Sequence, residues 1–287
     1  MSIQKDILSD DLFVYQDPEL YTFGTDAVLL AAFACPRTDS IGMELCAGNG
    51  VISLLMAKRK PLRHITAVEI QPLCADLARA SVRDNGLEEK ITVTEADLKE
   101  LPLPEKALDF VVVNPPYRRS DSGYQSKADC RRASNCEILC TLDDVVSVSS
   151  ARLKYGGDFY CCHRPERLCD LLFSLRSHDL EPKLLTFIHS REKEPPFLVL
   201  CHAKKRSRPG LRIAAPFILY TDAPGAECTP EAKRVYDTGS FSPKRARTTA
   251  EPSKQPAAAG TNGMLEGEHL PVSPRASDSA DLGTSRE

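Results

Sequence analysis

Leu108-Asp109-Phe110-Val111-Val112-Val113-Asn114-Pro115-Pro116-Tyr117 is the stretch that decides how this chain of 287 residues is read. A short β-branched run that stops at a rigid polar turn predicts a buried parallel strand feeding a loop at the sheet edge. Each proline fixes its own φ and pushes the preceding residue out of the helical region, so the turn stays extended. The carbonyls of Asn114 and Pro115 are then fixed acceptors, and Tyr117 follows with a flat aromatic face. Two acceptors beside an aromatic surface suit a planar amine, such as the exocyclic nitrogen of adenine. The plainer alternative is a proline-capped strand without chemistry.

Outward from that strand, patterns alternate. Strands are predicted at 41–46, 64–70, 90–95, 108–113, 157–163, 183–189 and 196–203, and helices at 50–60, 72–84, 141–154 and 165–178. Alternation of this kind implies an α/β fold, a mostly parallel seven-stranded sheet with helices on both faces. The last two strands join through the charged loop Arg191-Glu192-Lys193-Glu194 without a helix, so one strand should run antiparallel. Residues 1–40 predict an N-terminal extension packed on the ligand site: a strand Leu12-Phe13-Val14-Tyr15, then a helix from Ala27 to Ala34 capped by Thr25 or Asp26. Residues 41–203 form the main domain. Residues 204–239 form a small extension with one strand between Ile213 and Tyr220. From 240 to 287 the chain is rich in Pro, Ser, Ala, Thr and Gly, a composition that predicts a disordered tail.

A formal charge of −3 excludes a globally basic nucleic-acid binder, so any polyanion must be held by local patches. With no apolar leader and no run of 18 apolar residues, neither a signal peptide nor a membrane span is expected, and the expected compartment is the cytoplasm. The 11 cysteines are scattered through predicted strands and helices, which suits free thiols in a reducing compartment. Cys130, Cys136 and Cys140 fit no common zinc or iron–sulfur spacing, so no metal is expected.

Glu44-Leu45-Cys46-Ala47-Gly48-Asn49-Gly50 follows the first main strand and opens a helix. Glycines there let a ligand approach the backbone, and the helix N-terminus offers free N–H groups. The loop resembles motif I of class I S-adenosylmethionine methyltransferases, with Cys46 in place of the first glycine. Glu69 ends the next strand, where an acidic group in a Rossmann-like sheet accepts from both ribose hydroxyls. By the same resemblance, Asp97 matches a position that touches the cofactor's adenine, and Thr25 and Asp26 lie in a segment that closes over its methionine part. The resemblance implies a cofactor set of Thr25, Asp26, Glu44, Cys46, Gly48, Gly50, Glu69, Asp97 and Asn114, with S-adenosyl-L-methionine as the cofactor.

Asn114-Pro115-Pro116-Tyr117 resembles the Asn-Pro-Pro-Tyr motif of amino-methyltransferases, which would make these four residues catalytic. Phe23-Gly24-Thr25-Asp26-Ala27-Val28-Leu29-Leu30, Gly156-Gly157 before Phe159 and His163-Arg164, Pro216-Phe217-Ile218-Leu219-Tyr220 and Thr229-Pro230-Glu231 extend the likeness. Together they resemble the bacterial tRNA1(Val) (adenine(37)-N6)-methyltransferase family over about residues 8–239. Membership would imply a cytoplasmic enzyme that methylates the adenosine 3′ to a tRNA anticodon, with the base flipped onto Asn114–Tyr117. The family often has Arg-His-Glu where this chain has Ser134-Asn135-Cys136-Glu137. Arg118, Arg119, Lys127, Arg131 and Arg132 form a basic loop suited to a phosphate backbone. Alternatives are methylation of ribosomal RNA, N5-methylation of a release-factor glutamine, and a non-catalytic RNA-binding relative.

Overall fold

The computed structural model describes residues 3–9, 11–20, 22–101, 106–115, 140–222 and 227–242. Pro116, Tyr117, the basic loop with Arg118, Arg119, Lys127, Arg131 and Arg132, and the tail from 243 onward lie outside the described residues. A hairpin of β1 (Gln4–Ser9) and β2 (Leu12–Gln16) comes first, then α1 (Thr25–Phe33). Next come β3 (Ile41–Leu45), α2 (Val51–Arg59), β4 (His64–Glu69), α3 (Pro72–Asp84), β5 (Ile91–Glu95) and β6 (Leu108–Val113). After these follow α4 (Leu142–Arg152), β7 (Leu153–His163), α5 (Leu168–Ser177), β8 (Leu180–His189) and β9 (Pro196–Lys205). The chain then adds β10 (Arg212–Ile213), β11 (Phe217–Ile218) and α6 (Pro230–Thr238).

The seven long strands lie in the order β5-β4-β3-β6-β7-β9-β8. Only β9 is antiparallel to its neighbours, as the helix-free connection predicts. The short β10 and β11 both pair parallel to β8, extending its outer edge. They replace the single strand expected between 213 and 220, because Pro216 has no N–H to carry the ladder across.

Residues of β6 alternate between the sheet's two faces. Phe110 and Val112 join a core with α1, α2, α6 and the hairpin, whereas Val111 and Val113 join a core with α4 and α5. On the first face Gly42 is required, since a Cβ there would fall 2.2 Å from the Phe110 ring. The hairpin docks on α3 through polar contacts: Tyr15 N donates to Ser81 Oγ at 2.9 Å, and Asn85 Nδ2 to the Phe13 carbonyl at 2.7 Å. Helix α3 ends at Asp84 with Asn85 as its C-cap, and Gly86 takes the left-handed φ of +64° that such a stop needs. Beyond the sheet, Arg59 donates to the Tyr236 carbonyl, and Phe241 packs edge-on against Phe33 and stacks on Phe217. Ordered packing therefore continues past residue 240, where the tail was expected to begin.

Candidate active site at the switch point of the sheet

After β3 the chain moves outward through β4 and β5, then returns to place β6 on the other side of β3. This reversal opens a crevice at the carboxyl ends of β3 and β6, where open α/β sheets bind ligands. Pairing register decides which residues meet there. Leu45 stands opposite Val68 on one side and Val113 on the other, and Val113 stands opposite Cys161. The next residues therefore form a row along the edge: Glu69, Cys46, Asn114, Cys162.

The loop after β3 is held by carboxylates. Glu44 is buried, and its Oε2 accepts from the Ser53 amide at 2.8 Å and from the Ser53 hydroxyl, which ties the strand end to the first turn of α2. Burial pushes its pKa up to about 8, against the opposing pull of those Ser53 bonds. Glu69 is 4% exposed; Oε2 accepts from the Gly48 amide at 2.7 Å and Oε1 from the Gln71 amide at 2.9 Å. Burial raises this carboxyl too, partly offset by the same two amides. A carboxylate has about four acceptor sites, so Glu69 keeps capacity for a diol. Gly48 and Gly50 have φ of +55° and +78°, and a Cβ on Gly50 would stand 3.2 Å from Ala78 Cβ. No side chain caps α2, whose N-terminus stands behind the loop. Backbone amides, small residues and a carboxylate with spare acceptor capacity suit a ribose-bearing ligand that lies against the main chain.

Cys46 also sits in the left-handed region, at φ +55°, where the expected residue was glycine. Its sulfur lies 3.9 Å from Cys140 Sγ, on the α4 side of the sheet. That thiol contact and burial push the Cys46 pKa up. Asp97 caps a 3-10 turn, accepting from the Lys99 amide at 2.9 Å, and lies beyond the end of β5.

Beside β6 the contacts are between side chains. Asn114 Nδ2 donates to Asp26 Oδ2 at 3.0 Å, and the Cys162 thiol donates to Asn114 Oδ1 at 3.0 Å. Parity explains both: Val113 points to the α4 face, so Asn114 points to the α1 face, where Asp26 and Cys162 lie. Pro115 is buried beside it. The expected cap of α1 is corrected here. Gly24 is the N-cap and no side chain caps the helix; Asp26 instead bonds the Ala27 amide at 2.9 Å and turns toward Asn114. Thr25 hydrogen-bonds the Tyr236 hydroxyl of α6. His163, at the end of β7, is fully buried, and burial pushes its pKa down to about 4.

The structure thus gathers Glu44, Cys46, Gly48, Gly50 and Glu69 on one side of the crevice, with Asn114 and Asp26 on the other. Ser53 and Cys162 were not singled out from the sequence. Ser53 could have been found as a hydroxyl in the first turn after an acidic strand end. Cys162 had no local signal, because only the β6–β7 register puts it beside Asn114.

The family model described as "Methyltransferase small domain" matches residues 23–130. A tRNA1(Val) (adenine(37)-N6)-methyltransferase of Aliivibrio fischeri is 36% identical over 108 residues, 36% of this chain and 46% of that protein. A protein of the same name from Flavobacteriaceae bacterium is 32% identical over 104 residues, 36% of this chain and 45% of that protein. The chain therefore spans about half the length of these curated relatives. Among solved structures, that of a predicted O-methyltransferase, protein Atu636 from Agrobacterium tumefaciens, is similar at TM-score 0.62 and 26% identity, covering 76% of this chain and 98% of that one. The fold is that of the Rossmann-like class I methyltransferases. Within that class, the chain is similar to the tRNA1(Val) (adenine(37)-N6)-methyltransferase family, as its motifs led one to expect.

Proposed function

We propose that the protein transfers a methyl group from S-adenosyl-L-methionine to the N6 of an adenosine in tRNA, the adenosine at position 37 beside the anticodon. The observation that carries this reading is the row Glu69, Cys46, Asn114 at the switch-point crevice: a diol acceptor on one side and an amide acceptor on the other. Relatives named tRNA1(Val) (adenine(37)-N6)-methyltransferase support tRNA as the substrate.

Glu69 receives the ribose hydroxyls while its amide partners keep the carboxylate aimed. Gly48, Gly50 and the start of α2 form the backbone cradle, Glu44 holds that cradle to β3, and Asp97 stands on the adenine side. Bound S-adenosylmethionine supplies a methyl group already activated on a sulfonium, so the protein's task is positioning. Adenine N6 is a weak nucleophile because its lone pair is delocalised into the ring. The Asn114 oxygen and the Pro115 carbonyl accept its two N–H groups and favour a pyramidal nitrogen, whose lone pair is free to attack. Those contacts strengthen as the nitrogen pyramidalises, so they favour the transition state over the bound base.

Tyr117 is assigned the stacking face for a flipped base, and Pro116 the rigid turn. Arg118, Arg119, Lys127, Arg131 and Arg132 are assigned to the RNA backbone; reversing charge at Arg131 and Arg132 should weaken RNA binding and flatten its salt dependence. Such a substrate puts the enzyme in the cytoplasm.

The test is transfer from labelled S-adenosylmethionine to total tRNA, ribosomal RNA and release factor side by side, with nucleoside digestion. N6-methyladenosine at position 37 of tRNA supports the reading. Label in ribosomal RNA or in protein glutamine replaces the substrate, and binding of RNA without binding of S-adenosylmethionine overturns the enzyme.

A further inference from the structure

An amine that donates its N–H groups must meet the oxygen end of the Asn114 amide. The nitrogen end, a donor itself, would repel it. The two ends have nearly the same shape, and a half-turn of the terminal torsion exchanges them. Something beside Asn114 must therefore select one flip.

Asp26 does so, and Cys162 stands against the other end. A carboxylate oxygen accepts, so Asp26 Oδ2, 3.0 Å away, fixes the NH2 end toward α1. With the NH2 end so fixed, the Cys162 thiol, also 3.0 Å away, donates to the oxygen end toward β7; a thiol can donate or accept, so it braces that flip rather than selecting it. Asp26 is itself held, because its Oδ1 takes the Ala27 amide at 2.9 Å in the first turn of α1, where a negative charge is favoured. Gly24 makes room for it: a Cβ there would stand 2.6 Å from Asp26 Oδ1. Residues 26, 114 and 162 come from a helix and two strand ends and converge on one amide.

We propose that Asp26 is a positioning residue, which holds the Asn114 amide in the flip that presents its oxygen to the target amine, with Cys162 as the opposite brace. Asp26 was expected among the cofactor-binding residues; this role is different. The inference rests on the methyl-transfer reading, and its test separates the two.

In Asp26→Asn the neutral amide can face either end of Asn114. Turnover should fall about tenfold or more, as loss of a hydrogen bond to a charged group implies, while the S-adenosylmethionine Kd stays within about threefold. Cys162→Ser keeps a donor and should retain more turnover than Cys162→Ala. A readout free of activity is the Asn114 side-chain NH2 resonance pair, assigned by its loss in Asn114→Ala. One proton should be slow to exchange in the unsubstituted protein and fast in Asp26→Ala. If Asp26→Asn instead raises the cofactor Kd about tenfold with turnover intact, or if Asp26→Ala leaves the NH2 protons protected, the positioning role is overturned. If the unsubstituted protein transfers no methyl group, the functional reading fails, while the resonance experiment still decides whether Asp26 holds Asn114.

Discussion

The two sides of the crevice are built by different means. Beside β3 and β4, buried carboxylates grip main-chain amides: Glu44 holds Ser53, and Glu69 holds Gly48 and Gln71. Beside β6 and β7, side chains grip one another: Asp26, Asn114 and Cys162. The first side is built from one short segment, Glu44 to Gln71, that spans β3, α2 and β4. The second side exists only when α1 and β7 are packed on β6. On the first side each carboxyl holds backbone groups that any residue supplies, whereas the second side depends on the particular side chains at 26, 114 and 162.

The strongest way to break this contrast is at the second side. Asn114→Ala should reduce methyl transfer by about 10²–10³-fold, the cost of removing one donor or acceptor aimed at a transition state. Cofactor affinity, measured by calorimetry, should stay within about threefold, because the main-chain cradle is untouched. A parallel loss of cofactor binding would mean the two sides are not separable.

A smaller effect is expected at the first side. Glu69→Gln keeps one acceptor and loses the charge, so the S-adenosylmethionine Kd should rise about tenfold, or ~1.4 kcal/mol, with turnover at saturation preserved. Loss of turnover without loss of affinity would reverse the roles of the two sides.

The third consequence concerns pH. Folding raises Glu44 from its ordinary 4.5 to about 8 because burial disfavours the charged form. The folded state then binds the proton more tightly than the unfolded state. Its stabilising contribution is complete below about 4.5, declines as pH rises, and is gone above about 8. Glu69 acts in the same direction. Buried His163, lowered from 6.5 to about 4, acts in the opposite sense below about 6.5, so urea midpoints should fall most clearly as pH rises from about 6.5 to about 8, and Glu44→Gln should flatten that slope. An unchanged slope would show that Glu44 is not the group responsible.

The smallest effect should come from Cys46→Gly. Glycine removes the cost of a left-handed φ for a residue with a Cβ but gives the unfolded chain more freedom, so the net change in stability should be below about 1 kcal/mol. A calorimetric loss several times larger would show that the contact with Cys140 carries the loop.

Legibility differed along the chain for physical reasons. The strand Leu108–Val113 was readable because it is buried on both faces and ends in a fixed turn. Strand β1 was not, since Ile3 and Ile7 are exposed and give no inward-facing pattern. Strand β8 begins at Leu180, earlier than the predicted 183, because the register shift between Pro182 and Leu184 absorbs the proline. Helix α4 gives way to β7 at Leu153, where a helix to 154 was expected. Helix α5 begins only at Leu168, after a 3-10 turn at Pro165–Arg167.

The sequence by itself determined the alternation of strands and helices, the glycine loop, and the acidic and Asn-Pro-Pro-Tyr ends of the strands. These depend on side-chain period, on the φ that glycine permits and on the φ that proline imposes, all local properties. Only the tertiary structure decided that Glu69 would clasp Gly48, that Asp26 would leave the helix cap for Asn114, and that Cys162 would meet the same amide. Those contacts depend on strand order and register, which the packing of distant segments sets.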